Sequence, residues 1–248
     1  RMTRLATEDE LVRQASKRLD SFLAHGVTTV EGKSGYGLDI ETELKQLRVM
    51  KRLQKEHSID LVPTFMGAHA VPSEYKERPE AYIDLIINEM LPVIAREKLA
   101  LFIDVFCEVG VFTPEQSERI LEAGKLHGLI PKIHADEIES YLGAELAAKV
   151  GAISAEHLLK ASDKGIQAMA RKGTIACLLP ATALYLREPP ARGRVMIDAG
   201  VPVAISTDCN PGSSPTTSMP LVMNLACISM QLTPAESLCA ATYNAACA

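Results

Sequence analysis

The sequence predicts an α/β fold, a (β/α)8 barrel with about seven of its eight strand–helix units. Three observations lead to this class. Short, nearly all-apolar segments recur along the 248 residues, which is typical of parallel strands covered on both faces. Helical patterns with recognisable ends lie between these segments. No linker or shift in composition divides the chain, so we expect residues 1–248 to form a single, incomplete barrel domain.

Seven segments are predicted strands. The first, VTTVE at 27–31, is β-branched and is followed by the Gly-rich turn GKSGYG, as expected of a strand that ends in a turn. Six apolar runs follow, at 59–65, 101–107, 130–134, 152–156, 174–180 and 201–207. The first strand is not followed by Gly-x-Gly-x-x-Gly, which favours the barrel over a doubly wound sheet.

The predicted helices are marked by their ends. A capping box at Thr7 and Glu10 begins a helix that Gly26 ends, and apolar residues from Ile40 to Met50 repeat at helical spacing. Further start and stop signals are Thr113 with Pro114 and Gly128, Ser162 with Gly173, and Thr233 with Pro234 and Glu236.

Charge and hydropathy exclude two classes of partner. The 31 acidic and 26 basic residues are spread along the chain and give a net charge of −5, so no basic stripe indicates nucleic-acid binding. No run of about 18 apolar residues is long enough to cross a bilayer, and the N-terminus RMTRLATEDE lacks a signal-peptide core. We expect a soluble, cytoplasmic protein that binds neither nucleic acid nor membrane.

Polar side chains collect at the C-terminal ends of the predicted strands, where (β/α)8 barrels have their active sites. They are Lys33, Ser34, Tyr36, His69, Glu108, His134, Asp136, Glu137, Glu156, His157, Thr182, Asp208 and Asn210. Taken singly, each has a structural explanation, such as an aspartate that caps a loop. Together, imidazole and carboxylate groups from different strands are what a hydrolytic zinc or iron site needs. Glu137, three residues after His134, then suits a general base.

Two other motifs are excluded by their spacing. The segment GVTTVEGKS resembles a phosphate-binding loop, but five residues separate Gly26 from Gly32 where that motif has four. The sequence also lacks the His-Glu-x-x-His pattern of zinc proteases.

Six segments occur in a recognisable order: TTVEGKSGYGLDIETELKQLR, GAHAVPSEY, DVFCE, KIHADE, SAEHL and STDCNPGSSPT. In these segments the chain resembles the imidazolonepropionase family of the amidohydrolase superfamily. The resemblance implies metal-dependent hydrolysis of the cyclic amide of 4-imidazolone-5-propanoate to N-formimino-L-glutamate, a step of histidine degradation. It also implies one zinc or iron ion per subunit and a homodimer.

The resemblance also implies roles for individual residues. His134 and Asp208 match metal-binding positions. Glu137 matches a proton-shuttling residue and His157 one that orients the attacking water, so that Glu137, His157 and Asp208 are the expected catalytic residues. The expected substrate-binding residues are Tyr36, His69, Glu137, Asn210, Gly212 and Ser213.

The sequence departs from the family pattern at one point. The family's first barrel strand carries a His-x-His pair of metal ligands and then an arginine for the substrate carboxylate, and the 248 residues contain neither. We therefore expect the chain alone to bind metal weakly or not at all. We also expect the unpaired edge strands of the incomplete barrel to reduce stability or promote association. Two other functions stay open: a non-catalytic binding or scaffold module, and a Schiff-base lyase using Lys33.

Overall fold

Seven β-strands alternate with helices along residues 2–248, the range that the computed structural model describes. The strands are β1 Thr29–Lys33, β2 Asp60–Ala68, β3 Phe102–Cys107, β4 Ile130–Ala135, β5 Ser154–His157, β6 Ile175–Leu178 and β7 Val203–Ile205. All seven predicted strands are confirmed, with ends that differ from the predicted ones by at most three residues.

The described residues form thirteen α-helices. They are α1 Met2–Leu5, α2 Glu8–Ala24, α3 Ile40–Glu56, α4 Pro79–Leu85, α5 Leu91–Glu97, α6 Pro114–Leu126, α7 Gly143–Val150, α8 Asp163–Lys172, α9 Pro180–Leu186, α10 Gly193–Asp198, α11 Met219–Met230, α12 Pro234–Ala241 and α13 Tyr243–Cys247. A 3-10 turn covers Ser73–Tyr75, and a π-helical segment, Ile86–Met90, joins α4 to α5. Among the described residues, no helix is long and apolar enough to cross a membrane.

The predicted helix ends are confirmed by their hydrogen bonds. Thr7, Thr113 and Thr233 each form a capping box with the residue three positions later. Such a cap contributes about 1 kcal/mol to stability. Helix α8 begins after Ser162, whose side chain caps it, and ends at Gly173. Gly173 adopts φ +73°, a left-handed conformation that glycine reaches without strain.

Two compact units divide the chain. The first contains the described residues up to Phe106 together with Gly110–Pro131, and the second contains Cys107–Val109 and Lys132–Ala248. The single domain over residues 1–248 stays a prediction.

In the first unit, β1 pairs with β2 and β2 with β3, both in parallel. Helix α3 packs against β2 and α2, because its apolar face turns inward: Leu47 and Leu53 are buried. Phe65 of β2 and Ile103 of β3 are buried too. Each such side chain contributes about 2 kcal/mol through removal of apolar surface from water, and this core fixes the strand ends of the unit.

In the second unit, β4, β5, β6 and β7 form successive parallel pairs. The register places His134 of β4 opposite Glu156 of β5, and Ala135 opposite His157. Residues opposite each other on adjacent strands point to the same face of a sheet. The register therefore sets polar residues side by side where β4 and β5 end.

Candidate functional site

Three of the polar strand-end residues of the second unit share an unusual backbone conformation. Asp136, His157 and Asp208 have φ of +50°, +71° and +49°, in the left-handed region that side chains other than glycine rarely adopt. All three lie at or just beyond a strand end. Strained positions of this kind concentrate at functional sites, where the surrounding structure holds them in place.

His134, Glu137 and His157 lie close together. The ring centres of His134 and His157 are 5.1 Å apart, and His157 Nδ1 lies 3.5 Å from Glu137 Oε1. The side chain of His157 is 4% exposed and that of Glu137 13%. Two imidazoles and a carboxylate thus share a space that is largely shielded from water, where their mutual interactions are stronger than at the surface.

Glu137 has a strongly perturbed carboxyl group. Burial raises its pKa to about 7; the neighbouring His134 opposes this rise, and the negative charges of Asp208 and Glu108 add to it. A carboxyl group with a pKa near neutrality can both accept and return a proton at physiological pH.

Asp208 and the loop after it hold one another in place. Thr182 Oγ1 donates to Asp208 Oδ2 at 2.8 Å, and Asn210 Nδ2 donates to the Asp208 carbonyl at 2.8 Å. Asn210 Oδ1 accepts from the backbone N–H groups of Gly212 and Ser213, both at 2.8 Å. The side-chain amide of Asn210 therefore forms its hydrogen bonds within the loop, and the backbone N–H groups of Gly212 and Ser213 donate to it.

The donor types of the second unit suit a metal ion. The ligand atoms of His134 and Glu156 lie within 4.8 Å of each other, and an imidazole nitrogen and a carboxylate oxygen are both ligands that zinc takes in proteins. Ser154 Oγ donates to Glu156 Oε1 at 2.8 Å and orients that carboxylate. Imidazole and carboxylate suit zinc and iron alike. His134 and Asp208 as a shared ligand pair stay a prediction.

Two buried carboxylates fix the loop that follows β4. Asp136 is fully buried and accepts from the N–H groups of Tyr141, Gly143 and Ala144 at 2.7, 3.2 and 2.9 Å. Burial raises the pKa of Asp136, and these hydrogen bonds oppose the rise. Asp136 thus ties down the start of α7. The second carboxylate, Glu108, is also fully buried.

Tyr36 and His69, both predicted to bind substrate, contact each other in the first unit. Their rings meet edge to face with centres 5.3 Å apart. His69 Nδ1 lies 2.9 Å from the Gly35 carbonyl oxygen, which assigns the ring proton to Nδ1 because a carbonyl only accepts. Gly35 itself has φ +103°, and a Cβ there would lie 2.7 Å from the carbonyl oxygen of Met66. Only glycine fits this turn.

Glu43 holds the Gly-rich loop in place. Its buried carboxylate accepts from the backbone N–H groups of Gly35, Gly37 and Leu38 at 2.8, 2.8 and 2.9 Å. Sequence reasoning missed this role, although Glu43 falls on the apolar face of α3 between Ile40 and Leu47. A carboxylate on the buried face of a helix is a signal that it captures backbone donors.

Lys33 forms an ion-paired cluster. Its Nζ lies 2.7 Å from Glu31 Oε1 and 2.7 Å from Asp104 Oδ2, and Thr64 Oγ1 donates to Glu31. An ammonium hydrogen-bonded to two carboxylates lacks the lone pair that a Schiff-base nucleophile needs. The ion pairs therefore favour a structural role for Lys33 over a role as the nucleophile of a Schiff-base lyase. The carboxylate of Asp104 inside an apolar strand run was the overlooked signal for this cluster.

Comparison with solved structures shows the fold. A variant of atrazine chlorohydrolase from Arthrobacter aurescens, with zinc and atraton bound, matches at a TM-score of 0.75 and 16% identity, over 97% of this chain and 60% of the other. An amidohydrolase from a Sargasso Sea sample matches at 0.72 and 16%, over 100% and 61%. A zinc-bound adenosine deaminase from Xanthomonas campestris matches at 0.73 and 17%, over 98% and 57%. The predicted barrel fold of the amidohydrolase type is confirmed.

Comparison with curated sequences identifies the relatives. An imidazolonepropionase from Brevibacillus brevis is 69% identical over 98% of this chain, and one from Clostridium tetani is 61% identical over 100% of it. The chain spans 58% and 59% of their lengths. No protein-family model matches the chain. Over the part of the relatives' length that it spans, the chain is closely similar to the imidazolonepropionases.

Proposed function

We propose that the chain carries the larger part of the active site of a hydrolase that opens the ring of 4-imidazolone-5-propanoate with water and forms N-formimino-L-glutamate. The observation that carries this proposal is the grouping of Glu137 with His134 and His157, together with a pKa of about 7 for Glu137. The curated relatives are named for this activity.

The reaction adds water across a ring C–N bond. The oxygen of water joins the carbonyl carbon, the bond to nitrogen breaks, and the nitrogen leaves with a proton. In the proposed reaction, Glu137 takes the proton from the attacking water and returns it to the leaving nitrogen, because its pKa lies near the working pH. His157, 3.5 Å from Glu137, orients the water.

His134 and Asp208 would hold one zinc or iron ion, with Glu156 as a further donor beside His134. A bound ion of this kind lowers the pKa of water and polarises a carbonyl oxygen. The substrate-binding roles of Tyr36, His69, Asn210, Gly212 and Ser213 rest on the resemblance alone. So do the homodimer and the cytoplasmic location.

A second candidate is a non-catalytic binding or scaffold module. It is favoured by the number of metal ligands, since hydrolytic zinc sites use three or more protein ligands and the family's His-x-His pair is not among the 248 residues. Micromolar zinc binding to the chain counts against this candidate.

The test is turnover by the Glu137→Gln variant. Glutamine keeps the size of the side chain and removes its proton chemistry, so kcat for formation of N-formimino-L-glutamate should fall about 10²- to 10⁴-fold. Glu139→Gln is the matched control, because Glu139 is exposed two residues further along. A Glu137→Gln variant that turns over at the rate of the unchanged chain would exclude Glu137 as the proton carrier.

A further inference from the structure

Glu108 binds the backbone of the segment that carries Glu137. It directly follows β3 and is fully buried. Its Oε2 accepts from the N–H groups of Glu137 at 3.1 Å and Ile138 at 2.9 Å. Its Oε1 accepts from Glu139 at 3.3 Å and from Val109 at 2.9 Å. Three of these donors are the consecutive residues Glu137, Ile138 and Glu139, here named the 137–139 segment.

The arrangement needs a carboxylate. Four backbone donors meet two oxygen atoms, and an ionised carboxylate offers about four lone-pair positions with no competing hydrogen. Glutamine offers one oxygen and turns an N–H₂ group toward two of the donors, which would leave buried N–H groups without acceptors. The negative charge also makes each hydrogen bond stronger than one to a neutral acceptor.

We propose that Glu108 is a positioning residue for Glu137, which it holds through the backbone of the 137–139 segment. The inference rests on the proposed function, in which Glu137 moves the proton. Glu108 Oε2 accepts the N–H of Glu137 itself, so the carboxylate sets the point from which the Glu137 side chain projects toward His157. A shift of about 1 Å at a reacting group can cost about 100-fold in rate.

The first test is a double-mutant cycle on kcat with 4-imidazolone-5-propanoate, using Glu108→Gln, Glu137→Gln and the double variant. Glu108→Gln alone should lower kcat about 10- to 100-fold. In the Glu137→Gln background the same change should lower kcat less than about twofold, because residues that act through each other are not additive. Losses that multiply in the double variant would show a merely structural role and overturn the proposal.

The second test needs no turnover. Nδ1 of His157 lies 3.5 Å from Glu137 Oε1, so the ring ¹⁵N and ¹H resonances of His157, recorded at one pH, report where Glu137 lies. Glu108→Gln should move these resonances in the same direction as Glu137→Gln does, and should speed amide hydrogen exchange in the 137–139 segment. Glu43→Gln is the matched control, since Glu43 is equally buried and binds loop N–H groups of the first unit; it should do neither.

The two tests separate the two claims. If the unchanged chain shows no turnover, the proposed function fails, and the His157 resonances alone decide the role of Glu108. Resonances that stay in place in a folded Glu108→Gln chain would overturn the proposal. If circular dichroism shows that Glu108→Gln does not fold, Glu108→Asp, which keeps the charge but shortens the reach, goes through the same measurements.

Discussion

Replacing Glu137 by glutamine should change how the stability of the chain depends on pH. Burial raises the pKa of Glu137 from 4.5 to about 7. Below about pH 4.5 the folded and unfolded chains both hold the proton, and the group has no effect on stability. Between about pH 4.5 and 7 the unfolded chain has lost the proton that the folded chain keeps, so stability falls as the pH rises.

The size of the effect follows from the shift. One pKa unit corresponds to about 1.4 kcal/mol, so burying the carboxyl group of Glu137 costs about 1 kcal/mol at pH 5 and about 3 kcal/mol at pH 8. Glutamine carries no such cost at either pH. The free energy of unfolding of Glu137→Gln, relative to the unchanged chain, should therefore rise by about 2 kcal/mol between pH 5 and pH 8.

Urea unfolding at the two pH values, with a chelator present, measures this difference. Glu139→Gln, an exposed change two residues away, should show the same relative stability at pH 5 and pH 8. If the relative stability of Glu137→Gln is also the same at both pH values, Glu137 has an ordinary pKa in the folded chain and burial does not perturb its carboxyl group.

Three further changes test the local structure by urea unfolding. Asp136→Asn should cost about 2 kcal/mol, because asparagine tolerates the left-handed backbone but loses one of two acceptor oxygens; a change under about 0.5 kcal/mol would contradict this. Thr233→Ala should cost about 1 kcal/mol through loss of its capping box with Glu236, and an unchanged midpoint would count against the cap. Gly35→Ala should cost about 3 kcal/mol from the positive φ and the clash with Met66, whereas a neutral result would disprove the tight turn.

The elements of the fold could be predicted because their signals are local. The capping box at Thr113 joins residues three positions apart, and the apolar run at 101–107 identifies β3 without knowledge of its neighbours. The ends of the strands are harder to predict from local signals, because a strand ends where its pairing with the neighbouring strand ends. The short pairing of β7, three residues long, is set by its partner β6 and not by the longer apolar run at 201–207.

The candidate site could be predicted only in part. His134, Glu137 and His157 stand at strand ends, which in a barrel converge on one rim, and the structure brings these three together. The nearness of Glu156 to His134 depends on strand register, which the sequence does not show. The role of Glu108 depends on donors that lie 29 to 31 residues away, so no local pattern could reveal it.

The decisive measurement is the consumption of 4-imidazolone-5-propanoate by the purified chain, with and without saturating zinc or iron. The measurement compares the unchanged chain with His134→Ala and with His127→Ala, a histidine at the end of α6 in the first unit. Although the missing His-x-His pair weakens metal binding, we expect saturating metal to support formation of N-formimino-L-glutamate that is abolished by His134→Ala and persists in His127→Ala. If the unchanged chain consumes no substrate at saturating metal, or if His134→Ala consumes it as fast as the unchanged chain does, the proposed metal-dependent hydrolysis is wrong.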